Sequence, residues 1–269
     1  MYFDSHLHLD FAAFDGQRAK VLGRAVRAQV SDLFVPGTSP KSWPRLEQLV
    51  SSGWECGDDL PVAIRVGVGI HPYWSGEVNY ADVNELRRIV KEAGDFVSLL
   101  RARAIGEIGL DKQRGAPIEV QTSLFAAQLD LAKQLNLPVI MHQVGRQQEF
   151  LETLRRVGLP APGGVVHGFS GDVTFATTLL RMGLFLGVGA GIVHPARARL
   201  RATVGQLSLA QLLIETDAPD GRLRPMDASI HSEPSDVVLV AQHLAQLFDR
   251  PESEIARITS DNARHLLGD

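Results

Sequence analysis

Short apolar runs separated by amphipathic segments recur along the whole chain, the alternation expected when parallel strands are joined by helical crossovers. The runs predict strands over Tyr2 to Leu7, Asp32 to Val35, Val62 to Ile70, Arg103 to Ile108, Pro138 to His142, Gly164 to His167, Leu184 to Gly189 and Leu212 to Thr216. Between them, Val120, Leu124, Ala127, Leu131 and Leu135 repeat at helical spacing and predict a crossover helix over Glu119 to Asn136 with one buried face. Val237, Val240, Leu244, Leu247 and Phe248 do the same for Asp236 to Phe248. Eight such alternations in 269 residues, with no linker to divide them, predict a single domain, residues 1–269, of the α/β class with the (β/α)8 TIM-barrel architecture. In that class function collects at the C-terminal ends of the strands.

The strand ends carry the chemistry. His6 and His8 stand two apart, so an extended backbone turns both imidazoles to one side. Further runs end in ligand-type residues: Glu107 after Ala104-Ile105-Gly106, His142 after Pro138 to Met141, His167 after Gly164 to Val166, and Glu215 and Asp217 after Leu212 to Ile214. Any one of these is also explained as a polar strand end. Together they place nitrogen and oxygen donors wherever the predicted strands converge.

Composition narrows what those donors serve. The single cysteine, Cys56, excludes an internal disulfide and a multi-cysteine zinc site, so a metal would be held by nitrogen and oxygen. A net charge of −4 argues against a broad electrostatic footprint for duplex nucleic acid. A polyanion would be held locally, by metals and a few arginines. The apolar stretch Gly183 to Val193 is broken by glycines and too short to span a bilayer, and Met1-Tyr2-Phe3-Asp4 lacks the basic and apolar regions of a signal peptide. The expectation is a cytoplasmic protein with no membrane association and no obligate protein partner.

Other catalytic motifs do not fit. Gly187-Val188-Gly189-Ala190-Gly191 departs from the dinucleotide fingerprint and reads as a tightly packed strand end, and Gly168-Phe169-Ser170-Gly171 misses the serine-hydrolase elbow by one position.

The segments Asp4-Ser5-His6-Leu7-His8-Leu9-Asp10, Gly69-Ile70-His71-Pro72, Gly106-Glu107-Ile108-Gly109-Leu110-Asp111, Leu137 to His142, Val166-His167-Gly168-Phe169-Ser170-Gly171 and Glu215-Thr216-Asp217-Ala218-Pro219 resemble, in order and spacing, the TatD family of metal-dependent hydrolases. His-Gly-Phe-Ser-Gly, the glycine run at 187–191 and Asp220 look like its YjjV-like branch. The resemblance covers essentially the whole chain. It implies two divalent cations per chain, of zinc, manganese, magnesium, cobalt, nickel or iron, with His6, His8 and Asp217 on one, His142 and His167 on the other, and Glu107 bridging both. Catalytic roles fall to Glu107, to Asp217 as a proton acceptor, and to Glu215 as an orienting group or further base, with a buried structural carboxylate as its rival reading. His71 is expected at the rim, touching substrate phosphate. Asp4 and Asp10 flank the histidine pair, where they would hold an imidazole tautomer or serve as strand-end polarity.

Two stretches depart from the family pattern. The arginine common soon after the histidine of Pro-Val-x-x-His is displaced to Arg146, and Ser232-Glu233-Pro234 replaces Asn-Glu-Pro. Arg146 is the expected phosphate contact, with Arg114, Arg222 and Arg224 as further rim arginines. The resemblance implies phosphodiester hydrolysis, as a deoxyribonuclease on single-stranded DNA ends, short oligonucleotides or a small phosphodiester. Hydrolysis of a carbonyl or amide substrate is the alternative within enzymes. A metal-loaded, non-catalytic binding protein is the alternative outside them, and the full set of ligands and bases argues against it.

Overall fold

The computed structural model describes residues 1–51, 62–76, 83–221 and 231–268. Cys56, Arg222 and Arg224 lie outside the described residues. The strands are β1 (Tyr2–Asp4), β2 (Val30–Pro36), β3 (Ala63–Val68), β4 (Ala104–Asp111), β5 (Val139–Val144), β6 (Gly164–Val166), β7 (Leu184–Val188) and β8 (Leu212–Ile214). The helices are α1 (Arg18–Arg27), α2 (Trp43–Ser51), α3 (Val83–Leu100), α4 (Ile118–Leu135), α5 (Gln147–Val157), α6 (Val173–Arg181), α7 (Ala198–Val204), α8 (Val237–Phe248) and α9 (Glu252–Leu267). One eight-stranded sheet runs in the order β1 to β8, so strand order equals chain order, as the (β/α)8 class requires. No described helix is long and apolar enough to cross a membrane.

All eight expected strands are present, with shifted ends. β1 stops at Asp4, so His6 and His8 lie beyond it, while β4 and β5 run on to Asp111 and Val144 and carry Glu107 and His142 inside the strand.

Contacts divide the chain into two compact units. The first holds residues 1–35, 48–65 and 167–269. There α9 packs on β1, β8 and α8, and the Phe3 amide donates to Ser260 Oγ at 3.0 Å. Asp32 accepts from Arg65 at 2.8 Å and Arg264 at 2.7 Å. Burial pushes the Asp32 carboxyl up, but hydrogen bonds from Ser31, Arg264 and Arg65 outweigh it and hold the group below the usual carboxylate range.

The second unit holds residues 36–47 and 66–166. Its helix α4 packs on β4 and on α3 and α5. The buried face of α4 differs from the apolar stripe: Gln121 and Gln128 are buried, whereas Leu135 is exposed. The reason is hydrogen bonding. Gln128 accepts the Ile70 amide at 2.7 Å and Gln121 accepts the Asp111 amide at 2.8 Å, so two polar side chains satisfy strand-end backbone that would otherwise be buried without partners.

Candidate metal centre

In the first unit the period-two pattern persists past the end of β1. Leu7 and Leu9 are fully buried, and His6 and His8, also buried, both come to Asp217. The Leu7 amide donates to Phe34 O, the Asp217 amide to His6 O and the His8 amide to Ala218 O, which stitches this segment to the chain after β8. Asp4 reinforces the seam. It accepts the Thr216 amide at 2.9 Å and the Thr216 hydroxyl at 2.6 Å. Burial raises its carboxyl well above the usual range, with these bonds and the His6 amide partly offsetting it. Asp4 therefore fixes backbone and does not hold an imidazole ring. Arg18, fully buried, clamps the following loop through Leu9 O at 2.9 Å and Phe11 O at 3.0 Å.

The outcome is a convergence on one oxygen. His6 Nε2 lies 3.8 Å and His8 Nε2 3.6 Å from Asp217 Oδ1, with the two rings at 87° and 5.1 Å between centroids. Those separations are too long for hydrogen bonds. They match the edge of a tetrahedron whose corners lie about 2.1 Å from a central cation, which is about 3.4 Å. Asp217 reaches this position with a left-handed backbone, φ 52°, that Asp tolerates.

A second group shares His6. The His167 ring stacks on His6 at 3.8 Å and 7°, and its Nδ1 lies 3.5 Å from Glu215 Oε1. The Gly168 amide donates to that same oxygen at 2.5 Å, while Glu215 Oε2 is buried with no hydrogen-bond donor among the described residues. Gly187 makes room for this carboxylate, since a Cβ there would stand 2.2 Å from Oε2. The glycine run is thus a tightly packed strand end, as the sequence suggests, and what it packs against is Glu215. Its described partners are an amide and an imidazole, with no arginine or lysine among them.

The second unit carries a further group. Glu107 Oε1 lies 3.1 Å from His71 Nε2 and 3.1 Å from His142 Nδ1. His71 is 5% exposed, so it is not the rim residue expected from sequence. The Tyr73 amide donates to its Nδ1 at 3.0 Å, which turns the ring inward and leaves the proton on Nε2 to donate to Glu107. His142 Nε2 faces Asp111 Oδ2 at 2.9 Å. A neutral ring has one N–H and cannot donate to both carboxylates. With the N–H on Nε2 donating to Asp111, Nδ1 and Glu107 Oε1 face each other as two lone pairs, a contact that a cation between them makes favourable. The donor set therefore fits a divalent metal. Burial pushes the Asp111 carboxyl up, but His142 and the amides of Gln113 and Arg114 outweigh it and hold the group below its ordinary value. Close strand approach depends on glycine here as well, because a Cβ at Gly109 would strike His142 O at 2.0 Å.

Six donors expected from sequence thus enter groups within their own unit: His6, His8, His167 and Asp217 in the first, Glu107 and His142 in the second. Glu215 and His71 join these groups as well. Arg146 pairs with Glu149 at 3.2 Å on the first turn of α5, with its side chain 44% exposed. Arg114 lies 5.2 Å over the Tyr73 ring. Asp111, Arg18 and the Asp4–Thr216 pair were not identified from sequence as organisers of the site.

A family model described as "TatD related DNase" matches residues 3–268. The chain is 32% identical over 266 residues to the uncharacterized metal-dependent hydrolase YjjV of Escherichia coli (strain K12), covering 98% of this chain and 97% of that protein. It is 30% identical over 272 residues to the 3'-5' ssDNA/RNA exonuclease TatD of Pantoea ananatis, covering 99% of each. The crystal structure of the E. coli YjjV protein, a TatD homologue, superposes with a TM-score of 0.86 at 32% identity, covering 100% of this chain and 98% of that one.

Proposed function

Because the chain belongs to the TatD-related DNase family and is a metal-dependent hydrolase, we propose that it cleaves phosphodiester bonds with two divalent ions, acting on single-stranded DNA ends and short oligonucleotides. The ions are held by His6, His8, His167 and Asp217 in the first unit and by Glu107 and His142 in the second. The observation that carries this reading is the approach of His6 and His8 to one oxygen of Asp217 at ligand spacing rather than hydrogen-bond spacing. When bound, the ions supply the Lewis acidity that activates water and offsets the charge of the phosphate.

The chain's own groups divide the remaining work. His71 Nε2–H donates to Glu107 Oε1 and fixes the carboxylate's orientation. Asp111 holds the proton of His142 on Nε2, so that Nδ1 presents its lone pair as a ligand. Asp217 differs from Glu215 in access: its side chain is 36% exposed, whereas Glu215 is fully buried. Asp217 is therefore the group placed to take a proton from water attacking phosphorus and to return it to the departing sugar oxygen, giving a phosphomonoester and an alcohol. Glu215 sets the His167 ring and the Gly168 backbone. The net charge of −4 suits a short or single-stranded substrate bound locally.

The test is turnover by protein loaded with Mn2+, Mg2+, Co2+ or Zn2+ on strands labelled at either end, matched duplexes and bis(p-nitrophenyl) phosphate. Cleavage of single strands in preference to duplex, abolished by chelator, is expected. The direction in the Pantoea relative's name, 3′ to 5′, is read from which labelled end shortens. Hydrolysis of carboxylic esters or amides with no phosphodiester turnover would overturn the reading.

A further inference from the structure

Beside the Glu107 group, the second unit carries a cavity of about 320 Å3. Lys112, Arg114 and Arg146 line it, together with Gln113, Asp111 and Gln121. The one carboxylate in that lining is already engaged: Asp111 Oδ1 accepts the amides of Gln113 at 2.6 Å and Arg114 at 2.9 Å, and Oδ2 faces His142. Among the described residues, the three cations consequently meet no available counter-charge inside the cavity. Arg146 holds Glu149 outside it, an exposed pair that is weak and easily exchanged for a stronger anion.

The walls are preorganised. Gln121, 3% exposed, donates to Asp111 O, Arg114 O and Ala116 O at 3.0, 3.2 and 2.8 Å and so fixes the loop that presents Lys112 and Arg114. Lys112 lays its stem over Gly145, where a Cβ would come within 2.3 Å of Lys112 Cδ. Helices α4 and α5 both begin at the lining, with Pro117 and Arg146 as their N-caps, and each adds the positive end of its dipole. Two features connect the cavity to His71 and His142. The Arg114 guanidinium lies over Tyr73, whose ring is 4.5 Å from His71 and 5.7 Å from His142, and Asp111 itself holds His142.

We infer that this cavity is a subsite for a second, uncleaved phosphate of the substrate, so that the enzyme selects oligonucleotides over diesters carrying a single phosphate. The inference rests on the phosphodiesterase reading above. The volume is at the low end of the about 300–1,000 Å3 of ligand pockets, enough for a phosphoryl group and its sugar. The charge arrangement suits a singly or doubly charged phosphate oxygen cluster contacted by guanidinium and ammonium groups.

The test uses Lys112→Gln and Arg114→Gln, singly and together, each checked for an unchanged melting temperature. With metal-loaded protein, kcat/KM is measured for tetrathymidylate and for bis(p-nitrophenyl) phosphate. The ratio of the two should fall at least ten-fold in the double variant, through KM for the oligonucleotide. Independently, fluorescence anisotropy of labelled tetrathymidylate, with chelator present so that no cleavage occurs, should show weaker binding and a log K against log salt slope shallower by about 0.7, the loss of one phosphate contact on a single strand. An unchanged ratio and slope in a folded double variant would overturn the subsite. Absence of oligonucleotide cleavage by the unaltered protein would overturn the nuclease reading instead, and the salt slope would still decide the cavity. If the double variant does not fold, the single Lys112→Gln carries the same test, since its charge lies at the end of a stem already pinned on Gly145.

Discussion

Replacing Gly187 by alanine adds one methyl group at the most crowded point of the first unit. The new Cβ would stand 2.2 Å from Glu215 Oε2, 2.9 Å from its Cδ and 3.0 Å from His167 Cα. Comfortable separation is about 3.5 Å, so the carboxylate must retreat by more than about 1 Å. It has nowhere to go without releasing the Gly168 amide and shifting against His167 Nδ1. Overpacking alone costs about 1–3 kcal/mol, and a buried amide left without its acceptor adds about 1–3. The two overlap, since the shift that relieves one creates the other, and a net loss of about 2–4 kcal/mol is expected. At about 2–4 °C per kcal/mol for a chain of this size, melting should fall by roughly 4–16 °C. Gly187 has an ordinary backbone, so the effect is contact rather than strain. Gly23→Ala is the control. Its Cβ meets nothing closer than Arg27 Nη1 at 3.7 Å inside α1, and it should stabilise by about 0.5–1 kcal/mol. Calorimetry and elemental metal analysis on the same preparations read both outcomes. Glu215→Asp, one methylene shorter, should restore part of the loss in the Gly187→Ala background while costing stability on its own. Unchanged melting and metal content in Gly187→Ala, or strictly additive effects in the pair, would refute the packing argument.

Glu107→Gln keeps the size of the side chain but removes the charge that His71 and His142 address, so bound metal should fall by at least one ion per chain while the melting temperature of the metal-free protein barely moves, and turnover should drop about a hundred-fold or more. Asp111→Asn leaves a weaker acceptor for His142 Nε2, and metal affinity measured by competition with a chromogenic chelator should weaken about 10–100-fold. Asp32 is held below the ordinary carboxylate range, so its contribution to stability is complete above that range and is lost as pH falls through it. The difference in melting temperature between the protein and Asp32→Asn should accordingly narrow below about pH 4, and a constant difference down to pH 3 would contradict the ion-pair account.

The strands were legible because each is a buried apolar run bounded by polar residues, and parallel strands covered on both faces leave that mark. The donors at their ends were legible for the same reason, since a polar residue closing an apolar run stands out. What periodicity cannot carry is the partner across the fold. Asp4 and Thr216 lie at opposite ends of the sequence, and nothing local to either announces that one accepts from the other. Gln121 and Gln128 read as the polar side of α4 although they face the sheet, because their role is to satisfy strand-end amides. His71 read as a rim residue because Pro72 suggests a turn leaving the strand, yet that same turn puts the Tyr73 amide on Nδ1 and drives the ring inward.

The first unit is assembled from stretches that lie on either side of the second in sequence, and the second from a nearly continuous stretch between them. During synthesis that difference becomes one of order. The His71–Glu107–His142 group is fully encoded once Val166 has been made, whereas His6 and His8, although they precede it in the sequence, wait for Asp217 before their shared acceptor exists. A nascent chain arrested between these points holds one complete set of donors and one half-set, so the order in which the ribosome releases the sequence dictates which ligands a cation can meet first.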